Sequence, residues 1–210
     1  LTELELADLI PGHDILIAGT EQITDLVLDK ASELKLISRV GIGLDSVDLW
    51  AARERNIKVS YTPDAPSPAV AELTIALVLS LLRHVQLSNL GMKSGVWHRY
   101  FGKRICDSVV GVIGIGRIGN LVISHLLNLG CKNILINDID VGVPEKFRSE
   151  SVEWCKKNEI YKCADVISLH VPLTTKTLNM ITKKDLETMK PGACLVNTSR
   201  GGIVNEKDLE

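Results

Sequence analysis

The sequence is short of the features that would place it outside the ordinary globular enzymes. Its five cysteines, Cys106, Cys131, Cys155, Cys163 and Cys194, form an odd set with no Cys-x-x-Cys pair. That pattern suggests neither a disulfide framework nor a zinc knuckle, and it suits a reducing cytoplasm. Basic charge is not in excess: 24 Lys and Arg stand against 26 Asp and Glu, a net charge of −2. Polyanions are therefore not expected as partners, and no nucleic-acid role is indicated. There is no positively charged start followed by an apolar signal core. The longest apolar stretch, Leu73 to Leu82, falls short of the about 20 residues that span a bilayer. No internal repeat or low-complexity tract interrupts the chain, and a soluble protein without a membrane partner is expected.

What is present is a chain of 210 residues, 45% hydrophobic and 24% charged, enough for two small domains with their own cores. The first sixty residues alternate between short apolar strands (Asp14 to Ala18, Lys35 to Val40, Ile57 to Tyr61) and amphipathic helical stretches (Ile23 to Ser32, Val47 to Arg55). Such alternation implies parallel βαβ units. Three prolines within Tyr61-Thr-Pro-Asp-Ala-Pro-Ser-Pro68 then oppose both helix and sheet, so the domain junction is placed there, with domains 1–67 and 68–210. Ser67 before Pro68 is a good helix start, and the helix is predicted to run to about Asn89. Ala69 to Leu82 carries one charge, Glu72, and is apolar around its whole circumference, so it must be buried all round. It either sits centrally in one subunit or has one face on a second subunit, and a homodimer is the favoured reading. Strands at Val109 to Ile113, Ile134 to Asn137, Val166 to His170 and Ala193 to Asn197, with helices at Ile118 to Leu129 and Lys184 to Met189, predict a doubly wound sheet. Pro144 to Lys157 reads as mixed helix and loop.

The sharpest motif is Gly114-Ile-Gly-Arg-Ile-Gly119, directly after an apolar strand and at the start of a helix, with Asp138 nineteen residues beyond the last glycine. The first glycine permits a tight turn, Gly116 lets backbone approach a pyrophosphate, and Gly119 lets helix pack on strand. Amides at the helix start then face the phosphates. Asp138 ends the next strand, where its carboxylate accepts hydrogen bonds from an adenosine ribose and repels a 2′-phosphate. Ile139 and Asp140 follow, so no arginine stands beside Asp138 to neutralise such a phosphate, and NAD is favoured over NADP. Arg117, inside the turn, is open to two readings: a pyrophosphate contact or an exposed arginine on a first helical turn.

Together with Arg39-Val-Gly-Ile-Gly-Leu-Asp45, Ala69-Val-Ala-Glu72, Ala164-Asp-Val-Ile-Ser-Leu-His-Val-Pro-Leu-Thr174 and Asn197-Thr-Ser-Arg-Gly-Gly-Ile-Val204, this turn resembles the D-isomer-specific 2-hydroxyacid dehydrogenase family, nearest its phosphoglycerate dehydrogenase branch. The resemblance covers nearly the whole chain. It implies a Rossmann-type doubly wound parallel sheet domain plus a flavodoxin-like α/β substrate domain, and an NAD-dependent oxidoreductase that moves a hydride between NAD and a D-2-hydroxy acid, or the corresponding 2-keto acid. It assigns Arg200 to the substrate carboxylate and carbonyl, the amides of Ile42 and Gly43 to the carboxylate, and Arg39 to a substrate phosphate, although a solvated strand residue is the other reading of Arg39. Cofactor contacts are implied for Val70, Gly114, Gly116, Arg117, Ile118, Gly119, Asp138, His170, Val171, Pro172, Thr177 and Thr198.

The family's catalytic histidine and its partner glutamate follow the Arg-Gly motif and are not expected within these 210 residues. His170 matches a segment beside the cofactor rather than the acid/base. His13, His84, His98 and His125 stand in contexts that suit structural or surface roles. Nor does Leu1-Thr-Glu-Leu-Glu-Leu match the family's opening strand, so the chain reads as a fragment lacking both ends, inactive by itself. A different class of function shares the fold: an NAD(H)-sensing binding protein like the C-terminal-binding-protein corepressors.

Overall fold

The computed structural model describes residues 1–148 and 151–210. They divide into two units, Leu1–Pro66 and Ser67–Glu210.

In the first unit Thr2 opens α1 (Glu3–Leu9) with a reciprocal cap: its hydroxyl accepts from the Glu5 amide and the Glu5 carboxylate accepts from its own amide. Three parallel strands follow, β1 (Ile15–Ala18), β2 (Leu36–Arg39) and β3 (Lys58–Tyr61), in the order β1-β2-β3. They are connected by α2 (Asp25–Asp29) and α3 (Leu49–Glu54). Both helices are shorter than their apolar pattern predicts because Ile23 and Val47 pair with each other as an isolated parallel bridge. Asp48 then caps α3 by accepting from the Ala51 amide at 2.9 Å. Ile23, Val27, Leu28, Ile37 and Ala51 form the centre of this unit's core.

The second unit begins with α4 (Ser67–Leu82), and Ser67 is already its first residue. The expected run to Asn89 is interrupted. His84 takes a left-handed φ of 54°, the helix bends by 66°, and α5 (Val85–Lys93) continues in a new direction. The cause is a distant segment: the Lys103 amide donates to the Leu82 carbonyl at 3.0 Å, occupying the acceptor at the end of α4. Burial all round is likewise corrected. Ala71 and Val78 are in the core, while Leu73, Leu77 and Leu81, spaced by four residues, are 53%, 40% and 43% exposed. No single helix among the described residues is long and apolar enough to cross a membrane.

Beyond this point β4 (Val109–Ile113), α6 (Arg117–Asn128), β5 (Asn133–Asn137), β6 (Val152–Trp154), α7 (Lys157–Cys163), β7 (Val166–Leu169), α8 (Lys183–Leu186) and β8 (Cys194–Asn197) build one parallel sheet, ordered β6-β5-β4-β7-β8. The Pro144 to Lys157 region contains a short 3-10 turn at Glu145–Phe147 and the strand β6, and part of it, residues 149 and 150, lies outside the described residues. Val110 and Val112 pack on one face of the sheet with Val122 and Leu126 of α6, and Ile113 packs on the other with Ile160 and Tyr161 of α7. Helices therefore cover both faces, and the direction of winding reverses between β4 and β7. Ligands in such sheets bind beyond the carboxyl ends of the strands at this switch.

Candidate functional site

Three strands, β4, β7 and β8, are neighbours and parallel, so their carboxyl ends lie along one edge of the sheet. At the end of β4, Gly114 has φ +95° and its amide donates to the Asn137 carbonyl at 2.8 Å. A β-carbon on Gly114 would lie 2.5 Å from the carbonyl oxygen of His170, and one on Gly119 2.0 Å from that of Gly114. Gly116 is different: nothing lies within 4 Å of the position of its missing β-carbon. Two glycines thus serve packing, and the middle one leaves an open, exposed surface at the start of α6, where Arg117 and Ile118 begin the helix. The turn is held from within by Asn120, whose side-chain amide donates to the carbonyls of Ile115 at 2.8 Å and Gly116 at 2.9 Å. Free space over Gly116 beside a helix N-terminus suits a pyrophosphate.

Asp138, just past β5, accepts from the Ile115 amide through one carboxylate oxygen and from the Asp140 amide at 3.4 Å through the other. Its charge is thereby fixed beside the glycine turn. A pocket of about 550 Å³ opens here, with Gly116, Asp138, Asp140, Val143, Pro144 and Arg148 in its lining. No arginine adjoins Asp138 in sequence, but Arg148 lines the same pocket. Ten residues separate the two in sequence, and the chain after β5 turns back to place both on one pocket.

At the end of β7, the His170 imidazole shares a 2.8 Å hydrogen bond with Ser168 through Nε2, and its buried Nδ1 has no partner among the described residues. Burial pushes its pKa down from 6.5 to about 4, so the ring is neutral near pH 7. Val171 and Pro172 follow it. Thr177 ties this loop together, donating to the Pro172 carbonyl at 2.6 Å and accepting from the Thr174 amide at 2.8 Å. Val70 and Thr198 meet through Thr74: the Thr74 hydroxyl lies 2.9 Å from that of Thr198 and 2.8 Å from the Val70 carbonyl.

Arg200 lies three residues past β8 in a turn stabilised by its own motif. Asn197 donates to the Arg200 carbonyl at 2.7 Å and accepts from the Ser199 amide at 3.0 Å. The Ser199 hydroxyl reaches the Leu169 carbonyl, joining the ends of β8 and β7. The His170 carbonyl closes on Gly114 in turn, so a chain of contacts connects the arginine turn to the glycine turn. The Arg200 guanidinium donates to the Ser199 carbonyl at 2.8 Å. Asn120, Thr74, Asn197 and Ser199 are holding residues that sequence reasoning did not single out. Asn197 and Ser199 sit inside a motif whose arginine drew the attention, and Asn120 directly follows the last glycine of the turn.

The other substrate candidates belong to the first unit. Arg39 ends β2, is buried, and turns its guanidinium onto the Val40 carbonyl. It is therefore not the solvated strand residue that was one of its two readings. The missing β-carbon of Gly41 makes the room, since it would lie 2.4 Å from an Arg39 nitrogen. Thr62 holds the loop by accepting from the Gly41 amide at 2.8 Å. No partner among the described residues takes the amide hydrogens of Ile42 and Gly43, which leaves two adjacent donors for an anion.

Residues 75–210 match the family model described as D-isomer specific 2-hydroxyacid dehydrogenase, NAD binding domain. The chain is 38% identical over 208 residues to a hydroxypyruvate reductase of Thermotoga maritima, covering 98% of this chain and 66% of that protein. It is 40% identical over 215 residues to a D-3-phosphoglycerate dehydrogenase of Methanocaldococcus jannaschii, covering all of this chain and 40% of the relative. Among solved structures, a D-lactate dehydrogenase of Aquifex aeolicus complexed with NAD and lactic acid superposes with a TM-score of 0.86 at 31% identity, covering 97% of this chain and 61% of the other. The chain thus spans from two fifths to about two thirds of the length of these relatives.

Proposed function

Because this chain belongs to the D-isomer-specific 2-hydroxyacid dehydrogenase family and carries its NAD-binding domain, we propose that the protein it comes from interconverts a D-2-hydroxy acid and its 2-keto acid. The observation that supports this most is the common edge of the sheet, where the glycine turn after β4, the His170 segment after β7 and Arg200 after β8 are connected by direct contacts. Bound NAD supplies the hydride acceptor, and NADH the donor. The backbone amides at the start of α6 bind its pyrophosphate, Asp138 accepts from its adenosine ribose, and the surfaces of Val70, Ile118, Val171, Pro172 and Thr198 shape the rest of its bed. Arg200 binds the substrate carboxylate and polarises the carbonyl, work for which a planar, permanently charged fork is suited. Within the first unit, the amides of Ile42 and Gly43, which have no partner among the described residues, are the proposed anion donors. His170 is not offered as the proton carrier, because its Nε2 is engaged with Ser168 and burial pushes its pKa down to about 4, far from the near-neutral value such a group needs.

A phosphorylated acid such as 3-phosphoglycerate is the proposed substrate on the strength of Arg39, a buried cation whose Nε has no partner among the described residues. A homodimer is proposed from the exposed leucine row on α4 and from exposed Leu87, Leu90 and Met92 on α5. Exposed apolar residues in such number suit a second copy. All five cysteines carry free thiols, which suits the cytoplasm.

The test is turnover by the full-length protein with NAD and a panel of 3-phosphoglycerate, D-glycerate, glycolate and D-lactate, alongside the Arg200→Met variant. The reading requires turnover of at least one acid and a loss of about a hundredfold or more in kcat/KM in the variant. Tight NADH binding with no turnover across the panel would instead support the NAD(H)-sensing class.

A further inference from the structure

The pocket beside the glycine turn contains a charge that an NAD site does not require. Among the described residues, its polar lining includes two carboxylates, Asp138 and Asp140, and a single cation, Arg148. The rest is apolar surface from Ile115, Val141, Val143 and Pro144 with two glycines. The two hydrogen bonds from backbone amides hold the Asp138 carboxylate in position, so it does not swing aside for an incoming phosphate. Ile139, the position from which an adjacent arginine would meet a 2′-phosphate, is 95% exposed and brings no charge. Arg148 is exposed and makes no ion pair with a described residue.

We propose that Arg148 is a 2′-phosphate anchor held in check by Asp138, so that this pair, rather than Asp138 alone, determines how far NAD is preferred to NADP. The inference rests on the NAD-binding reading of the site and adds its selectivity. The carboxylates of Asp138, which is held in place, and Asp140, which is exposed, leave the pocket with net negative charge against a phosphate dianion, and one guanidinium does not offset that repulsion. Without the Asp138 carboxylate, the pocket balances one negative against one positive charge. The guanidinium then has no carboxylate at the ribose to compete with a phosphate, which it binds in bidentate fashion.

The experiment is a fluorescence titration of NADH and NADPH against the chain as it stands, in wild-type, Asp138→Ala, Arg148→Met and doubly substituted forms. Asp138→Ala is expected to tighten NADPH binding about tenfold or more, the range of one charge-assisted contact, and to weaken NADH. Adding Arg148→Met should abolish that gain while changing NADH affinity less than about twofold. A double variant that binds NADPH as tightly as Asp138→Ala overturns the inference. Should Asp138→Ala fail to fold by circular dichroism, Arg148→Met alone decides: NADPH affinity falls at least about threefold with NADH unchanged, or the inference is wrong. Failure of the wild-type chain to bind NADH defeats the NAD reading and this inference together. Normal NADH binding with an NADPH affinity indifferent to Arg148 defeats this inference alone.

Discussion

The carbonyl oxygen of Gly114 stands 2.0 Å from where a β-carbon on Gly119 would be. Gly114 opens the turn between β4 and α6 and Gly119 lies in the first turn of α6, and the contact reverses the usual consequence of adding a methyl group to a helix. Alanine ordinarily stabilises a helix interior by about 1 kcal/mol relative to glycine. At position 119 the methyl group meets fixed backbone, and overpacking of this kind costs about 1–3 kcal/mol. Gly119→Ala is therefore expected to lower the urea midpoint and weaken NADH binding together. Gly116→Ala meets open space, so its stability should change by less than about 1 kcal/mol while NADH binding still weakens. Equal losses of stability in the two variants would contradict this division of roles.

The same turn shows what was legible in the sequence. Gly119 has its role because of the Gly114 carbonyl five residues away, and the spacing carries that information, whereas Gly114 in addition meets the distant His170 carbonyl. The arginine turn is similar, since Asn197 and Ser199 hold it from inside the motif. The end of α4 was not legible, because the Leu82 carbonyl is taken by Lys103 from a segment twenty-one residues away. Arg148 was missed for a related reason: its place on the Asp138 pocket depends on how the chain turns after β5, not on sequence adjacency. The strand β6 is three residues long and carries one buried side chain, Val152, too short a stretch for alternation to be recognised.

Asp165, at the start of β7, joins three parts of the second unit. It accepts from the Val109 amide at 2.7 Å and pairs with Lys103 at 2.8 Å and Lys190 at 3.3 Å. Burial alone would raise its pKa, but Lys103, the Val109 amide and Lys190 together hold it below the usual carboxylate value. A lowered folded pKa means stability that is present above the unfolded pKa and is lost as pH falls through the folded one. Asp165→Asn should cost about 1–3 kcal/mol at pH 7, and the difference from wild type should shrink below about pH 4. Urea titrations at pH 7 and pH 3.5 measure both quantities, and a pH-independent difference would rule out the charge as its source.

Tyr161 of α7 is 2% exposed among Ile113, Ile167, Leu169 and Ile203, and its hydroxyl has no hydrogen-bond partner among the described residues. Burial pushes its pKa well above the ordinary tyrosine value. A buried hydroxyl left unpaired costs about 1–3 kcal/mol, whereas the ring contributes apolar packing. Tyr161→Phe keeps the ring and removes the orphan, so the protein should gain about 1 kcal/mol and melt a few degrees higher. A lower melting temperature for the phenylalanine variant would mean that the hydroxyl is paired in solution.

His170 makes stability depend on pH in a window where most carboxylates are still ionised. Its folded pKa of about 4 lies below the ordinary 6.5 because burial disfavours the imidazolium. Above 6.5 the ring is neutral in both folded and unfolded chains and contributes nothing to the slope. Between 6.5 and 4 the unfolded chain binds a proton that the folded one excludes, so stability falls as pH falls, by up to about 1.4 kcal/mol per pH unit. Between pH 6.5 and 5 this amounts to about 2 kcal/mol or less. His170→Asn removes the titration but keeps a polar group beside Ser168, so subtracting its urea-unfolding profile from that of wild type cancels the other titrating groups. The difference should grow steadily on acidification from pH 6.5 to pH 5 and be flat above pH 7. A flat difference throughout would show that the imidazole is protonated as readily in the folded chain as in the unfolded one, and the half-buried, neutral His170 beside the glycine turn would have to be given up.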